Sequence, residues 1–184
     1  MDFFEMMCGN VNDFSPLVYL NEADPFDEPF ATDGKPRHWQ RRLCVHASVN
    51  KRRKKQKPIA DFALLTPGSL FLSEKAYKVV GGFLGKFGQL LEVDCDAEPR
   101  YWYNVTNLVP CIDFEKSEKL GNSVTKAEFL ADAIPSGAQV LKDPRTANTR
   151  IYLTAAAREI LEKLIADAGL TGLAFFQAGE GQYT

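Results

Sequence analysis

The segment SLFLSEKAYKVVGGFLGKFGQLLEVD, residues 69–94, predicts a strand, a helix and a second strand in direct succession. Its apolar run LFL favours a buried strand, and Ser73 behind that run is an N-cap candidate, because its hydroxyl can accept from unpaired backbone N–H groups. Gly88 predicts the end of the helix, and the run from Leu90 to Val93 predicts the second strand. Between Ser73 and Gly88, one apolar stripe recurs at helical spacing: Ala76, Val79, Val80, Phe83 and Phe87.

The same pattern returns without a gap in the last part of the chain, from Ile151 to Phe176. Thr154 occupies the position of Ser73, and Gly169 occupies that of Gly88. A constant offset favours a duplicated unit over chance, and two copies are expected to share one core. We therefore predict an α+β fold, a mixed sheet with packed helices, built from similar units at about 69–94 and 150–176. The second helix has its own predicted stripe: Ala157, Ile160, Leu161 and Leu164.

The composition is that of an ordinary globular protein. The chain has 184 residues, 45% of them hydrophobic and 25% charged. No apolar run reaches the roughly 18 residues that a membrane span needs. The acidic start, MDFFEMMCGNVND, lacks the basic region and apolar core of a secretory signal. Four scattered cysteines form no C-x-x-C pair, which predicts reduced thiols in a cytoplasmic protein without a metal site or cofactor.

Charge is strongly segregated near the start of the chain. Residues 1–34 hold eight carboxylates, no lysine or arginine, and six interleaved aromatic residues. Because disordered tails are poor in aromatics, we predict an acidic aromatic arm packed on the body. Residues 35–184 are then a single α+β domain. Residues 35–57 invert the charge, with ten basic residues and no carboxylate.

The run KRRKKQK at residues 51–57 has two interpretations. One is a nucleic-acid contact or a regulatory module that acts through this run. The other is a solvated loop between two strands, balanced by the acidic arm. The loop interpretation is favoured, because the run has no neighbouring aromatics for base stacking and the chain carries a net charge of −2.

Catalytic chemistry has few candidate residues. The only histidines are His38 and His46, and neither lies in an H-E-x-x-H motif. Alternation of apolar residues predicts a strand over residues 43–49, which places Cys44 and His46 on one strand face. Such a pair is a starting point for a metal site or a thiol–imidazole nucleophile, but ordinary strand residues are the favoured interpretation. No P-loop, G-x-S-x-G or G-x-G-x-x-G motif is present, so we predict a binding protein and no enzyme.

The remaining predictions are local. The alternating, aromatic-rich residues 101–106 predict a strand, and residues 124–133 predict a helix that ends before Pro135 and Gly137. A short strand is expected at Val140 and Leu141, and another over residues 17–20.

Four segments together resemble a known protein family. They are FATDGKPRHW (residues 30–39), FLSEKA (71–76), YWYNVTNLVPCIDFEKSE (101–118) and GLTGLAF (169–175). In this order they resemble immunity family eleven of the bacterial polymorphic-toxin systems, first catalogued as a domain of unknown function. The resemblance covers about residues 30–177. This chain has Pro110-Cys111 where the family pattern has an aspartate and a small residue.

The resemblance implies a non-enzymatic antidote that binds a secreted toxin in the cytoplasm of the producing cell or its kin. The cognate toxin domain is expected to be a nuclease or a nucleotide-targeting enzyme with a positive cleft, which a negative surface complements. A charged rim around apolar anchors suits such an interface. We therefore predict toxin contacts in the acidic arm, although neutralisation of residues 51–57 is the favoured role of that arm. The candidate residues are Asp24, Phe26, Asp27, Glu28, Phe30 and Asp33.

Overall fold

The computed structural model describes residues 2–9, 12–20, 29–39, 42–48, 57–96 and 98–179. Two α-helices lie in this part of the chain, α1 (Glu74–Leu84) and α2 (Ala155–Ala168). The strands, in chain order, are β1 (Phe3–Cys8), β2 (Leu17–Val18), β3 (Cys44–Ala47), β4 (Phe62–Ala63), β5 (Leu70–Ser73), β6 (Gly88–Cys95), β7 (Glu98–Val105), β8 (Glu118–Leu120), β9 (Ser123–Lys126), β10 (Val140–Leu141), β11 (Tyr152–Thr154) and β12 (Leu173–Gln177).

These strands form a six-stranded sheet, a four-stranded sheet and a hairpin. The six-stranded sheet has the order β2-β3-β6-β7-β5-β4, and the four-stranded sheet has the order β10-β11-β1-β12. Strands β3 and β6 pair in parallel and the other pairs of these two sheets are antiparallel, so the larger sheet is mixed. The predicted α+β class, with packed helices and two strand–helix–strand units, is confirmed.

The two units share one topology. In each, the strands before and after the helix run parallel, and an antiparallel strand separates them. Strand β7 fills this position between β5 and β6, and β1 fills it between β11 and β12. The equivalent pairings place Trp102 between Phe71 and Leu91, and Glu5 between Tyr152 and Phe176.

The offset between the units is not constant. Strand pairing makes Tyr152 the equivalent of Phe71, and Phe176 the equivalent of Leu91. The chain from Tyr152 to Phe176 is longer than the chain from Phe71 to Leu91. The helices explain most of the difference, because α1 has 11 residues and α2 has 14. The second unit therefore contains almost one extra helical turn.

The predicted stop of the first helix is wrong. Helix α1 ends at Leu84 with Gly85 as C-cap, and Gly88 instead opens β6. A side chain at Gly88 would collide with the backbone of β7 at Asn104, so this glycine permits close strand pairing. The predicted end of the second helix is confirmed, since Gly169 is the C-cap of α2. Its φ of 58° is left-handed, a conformation that glycine adopts without steric cost.

The N-cap prediction holds for one helix. The Ser73 hydroxyl accepts from the Ala76 N–H at 3.1 Å. Thr154 precedes α2 but makes no capping bond with its side chain. Its hydroxyl donates instead to the Gly137 carbonyl at 2.7 Å, which ties the helix start to the preceding loop.

The apolar stripes form the core between the helices and the sheets. Ala76 and Val80 of α1 are fully buried, and Val79 and Phe83 pack partly buried against them. In α2, Ala157 and Leu161 are fully buried and Leu164 packs against them. Ile160 is 40% exposed, so its predicted burial is wrong. That position lies on the flank of α2, and Ile165 and Ala168 complete the packed side instead.

The predicted helix at residues 124–133 is also wrong. Ser123–Lys126 is strand β9, which pairs with β8 across a turn where Gly121 has a φ of 61°. The β-branched Val124 and Thr125 suit a strand better than a helix. Only Ala131–Ala133 is helical, as a single 3-10 turn.

The first strand lies inside the fold. Strand β1 is flanked on both sides, by β11 and β12, and Phe3, Phe4 and Met6 are buried. Part of the segment predicted as an arm is therefore an interior strand, because its aromatic residues supply apolar surface to two clusters. Residues 21–28 of that segment lie outside the described residues.

In the described part of the chain, no helix has the length and apolar character that a membrane crossing requires.

Candidate functional site

One face of the six-stranded sheet carries a group of polar side chains at β3 and β6. Strand alternation sends Val45 and Val93 into the core beside Trp102. Their neighbours in sequence point the other way, towards the side of the sheet that holds α1. We call this surface the β3–β6 face, and it comprises Arg42, Cys44, His46, Glu92, Asp94 and Asp96.

Helix α1 borders this face without covering it. Tyr77 of α1 stacks on Tyr101 of β7, with ring centroids 3.8 Å apart and planes 8° apart. Tyr101 pairs with Glu92 in the sheet, so the stack stands directly beside the first carboxylate. Tyr77 remains 37% exposed. The β3–β6 face is therefore a polar surface with an aromatic border.

The charge of the β3–β6 face is negative. Three carboxylates oppose one guanidinium, since Arg42 lies 2.8 Å from Glu92 and 3.7 Å from Asp94. The side chain of Asp94 stays 55% exposed, and that of Asp96 stays 46% exposed. With His46 neutral, this gives a formal local charge of about −2, which attracts a basic partner.

Cys44, His46 and Asp96 form a connected chain of side chains. The Cys44 Sγ lies 3.6 Å from His46 Nε2, and His46 Nδ1 lies 3.0 Å from Asp96 Oδ1. The predicted placement of Cys44 and His46 on one strand face is thus confirmed. This order of thiol, imidazole and carboxylate is the arrangement that activates nucleophilic cysteines.

The electrostatics of Cys44 oppose that chemistry. Partial burial, together with the carboxylates of Asp94 and Asp96, raises the pKa of the Cys44 thiol. A reactive cysteine needs a lowered pKa, because the thiolate is the nucleophile. The carboxylates that give the face its charge therefore disfavour the thiolate form of Cys44.

Asp96 is held in a special backbone conformation. It is the one described non-glycine residue with positive φ, at 45°. This conformation directs its carboxylate back onto β3, where Oδ2 accepts from the Ala47 N–H at 2.9 Å. That bond, followed by the contact with His46, lowers the pKa of Asp96. Asp96 thus stays ionised and fixes His46 on the surface.

The residues predicted for toxin binding fall into two groups. Asp24, Phe26, Asp27 and Glu28 lie outside the described residues. Phe30 is 5% exposed and makes edge contacts with Trp39, Phe71 and Trp102, so its ring belongs to the core. Asp33 lies 2.7 Å from Arg37 and 3.6 Å from Lys35.

Two further predictions concerned the basic run and a metal site. Of the basic run at residues 51–57, only Lys57 lies within the described residues. No group of histidine, cysteine and carboxylate side chains that suits a metal ion occurs in the described ranges.

Sequence reasoning missed the carboxylates of the β3–β6 face. The signal was present, because Glu92, Asp94 and Asp96 alternate with Val93 and Cys95. Alternation of this kind indicates a strand with one polar face. The partner strand β3 is distant in sequence, on the other side of β4, β5 and α1, so the pattern alone did not assemble the face.

No family model matches the chain, and no curated protein matches it.

Proposed function

We propose that this protein is an immunity protein that neutralises a cognate antibacterial toxin by direct stoichiometric binding in the cytoplasm, without catalysis and without a cofactor. The family resemblance of residues 30–177 supports this proposal. The structural observation that carries it is the β3–β6 face, which presents exposed carboxylates beside the stacked Tyr77 and Tyr101.

The chemistry of that face fits a basic partner. Toxins that act on nucleic acids or nucleotides have positive clefts, and complementary charge gives the antidote a faster on-rate and greater specificity. Tyrosine is enriched at protein interfaces, because its ring packs while its hydroxyl stays hydrated. Pairing within the sheet also fixes the carboxylates before binding, which reduces the entropic cost of association.

The binding experiment uses the toxin domain encoded immediately upstream of this protein. Complex formation is measured by isothermal titration calorimetry, and protection is measured in cells that express the toxin domain. The double variant Glu92→Lys/Asp94→Lys should weaken binding at least tenfold and reduce protection. The matched control is Asp132→Lys/Glu159→Lys, which makes the same charge change at two other exposed positions.

A second double variant, Asp27→Lys/Glu28→Lys, tests the surface predicted from sequence. Loss of binding in this variant alone would move the docking site to the acidic arm and leave the proposed function intact. Absence of any complex with the upstream toxin domain would reject the function. Circular dichroism and thermal melting verify that each variant is folded.

A further inference from the structure

A cavity lies between the β8–β9 hairpin and the turn that precedes β11. Its volume is about 690 Å³, within the range of about 300–1,000 Å³ that is typical of small-molecule sites. We call it the hairpin cavity, and its lining comes from residues 118 and 122–126 of the hairpin, residues 145, 146 and 148–150 of the turn, and Pro67. None of these residues belongs to the β3–β6 face.

Positive charge predominates in the hairpin cavity. Lys126, Arg145 and Arg150 line it, against the single carboxylate of Glu118. The other lining side chains are mainly hydroxyls and amides, which also donate hydrogen bonds: Asn122, Ser123, Thr125, Thr146, Asn148 and Thr149. A concentration of cations in a chain of net charge −2 is a local feature that indicates an anionic ligand.

The three cations differ in the hydrogen bonds and ion pairs that they make within the protein. Arg150 is almost fully buried, donates through Nη2 to the Thr125 carbonyl at 2.9 Å, and lies 3.8 Å from the Glu5 carboxylate. Lys126 lies 3.6 Å from Glu118, beyond the length of a direct hydrogen bond. Arg145 is exposed and has no ion pair with any described residue. Arg145 is therefore the cation whose charge is least compensated.

Arg145 is nevertheless held in position. Its guanidinium carbon lies 4.1 Å from the centre of the Phe114 ring, and its backbone N–H donates to Asp143 at 2.8 Å. A guanidinium presents its N–H donors as a planar fork, and contact with an aromatic ring limits the positions that this fork adopts. A positioned fork of this kind suits a phosphate, which it can bind with two parallel hydrogen bonds.

The turn that carries Arg145 and Arg150 is rigidly anchored. The buried Asp143 carboxylate accepts from the N–H groups of Cys111 and Ile112, at 2.7 and 2.8 Å. The Thr146 hydroxyl lies 3.1 Å from the Tyr152 hydroxyl. These bonds connect the turn to the core, so the cations are in place before a ligand arrives, and binding orders few additional groups.

We propose that the hairpin cavity binds a small phosphorylated ligand, with Arg145 as the main contact and with Lys126 and Arg150 as supporting charges. A phosphate monoester carries a charge of about −1.5 to −2 at neutral pH and three acceptor oxygens. The charge and the acceptors of a phosphate match the weakly paired Arg145 and Lys126 and the adjacent hydroxyls. A carboxylate, with less charge and fewer oxygens, matches these groups less well. A concave cavity also suits a compact ligand better than the extended backbone of a nucleic acid.

The test is an NMR titration of the full chain with inorganic phosphate, with sodium acetate and sodium chloride at equal ionic strength as comparators. Saturable shifts with phosphate, confined to the amides of residues 122–126 and 145–150, are expected. Arg145→Gln should weaken the affinity at least tenfold. Lys163→Gln, which removes an exposed cation of α2, should leave it unchanged.

Three results would overturn the proposal. They are equal responses to phosphate, acetate and chloride, shifts spread over the whole surface, and wild-type affinity in Arg145→Gln. Because no toxin takes part in this titration, its outcome does not depend on the proposed immunity function.

Discussion

The buried lysine Lys142 connects three separate segments, and its removal is the most demanding test of the fold. The residue is 1% exposed, and its ammonium group donates to three backbone carbonyls. The acceptors are Thr32 at 2.8 Å, Gly68 at 3.0 Å and Ala147 at 2.8 Å. These belong to the segment before β3, the loop before β5 and the turn before β11.

Lys142→Met keeps the aliphatic length and removes the donors. Each buried carbonyl left without a partner costs about 1–3 kcal/mol. Removal of a buried charge recovers part of this cost, since burial of an ammonium group is itself unfavourable. We therefore expect a net loss of about 3 kcal/mol in the free energy of unfolding. For a chain of this size that corresponds to a melting temperature lower by about 6–12 °C.

The assay is urea denaturation followed by circular dichroism, with thermal melting as a second measurement. Lys163→Met is the matched control, because the Lys163 side chain is 76% exposed and pairs with Asp167 on the surface. This control should change stability by less than about 0.5 kcal/mol. A loss below about 1 kcal/mol in Lys142→Met would refute the argument that the three carbonyls depend on this side chain.

Three further predictions concern the titration of Lys142, the two sides of α2 and the reactivity of Cys44. Burial lowers the pKa of Lys142 from 10.5 to about 7, so the unfolded chain binds this proton more tightly than the folded chain does. The free energy of unfolding of the wild type should therefore rise between about pH 7 and pH 10. Urea denaturation at a series of pH values should show no such rise in Lys142→Met. Leu161→Ala should cost about 2–5 kcal/mol whereas Ile160→Ala should cost less than about 1 kcal/mol, and equal losses in denaturation would contradict the observed side of α2. Asp94→Asn should lower the pKa of Cys44 and accelerate its alkylation by iodoacetamide at pH 8, measured by mass spectrometry, and an unchanged rate would contradict the electrostatic account.

Local periodicity was sufficient to predict the two units. The helical stripe that begins at Ala76 and the cap at Ser73 are properties of neighbouring residues, and the structure reproduces both. The predictions failed for residues at the edge of a buried helix side or at the end of a helix. Ile160 has the spacing of the stripe but lies on its flank, and Gly88 resembles a helix stop although β7 requires it for close approach.

Pairing across long distances could not be predicted from the same signals. The helix predicted over residues 124–133 is a strand at its start, because pairing with β8 adds to the β propensity of Val124 and Thr125. One half of the β3–β6 face was visible in the alternation of Glu92, Asp94 and Asp96. Its other half, Cys44 and His46, was identified separately, and only the parallel pairing of β3 with β6 joins them.

The position of β1 has a consequence for synthesis of the protein on the ribosome. This strand is made before the other described strands, yet its partners β11 and β12 follow it by more than 140 residues. Synthesis proceeds at about 5–20 residues per second, so the apolar sequence FFEMMC stays unpaired for about 10–30 s before its partner strands are made. During that interval every strand of the six-stranded sheet has been made, whereas β1 still lacks both of its partners. The nascent chain therefore carries an unpaired apolar strand, which is a natural binding segment for chaperones.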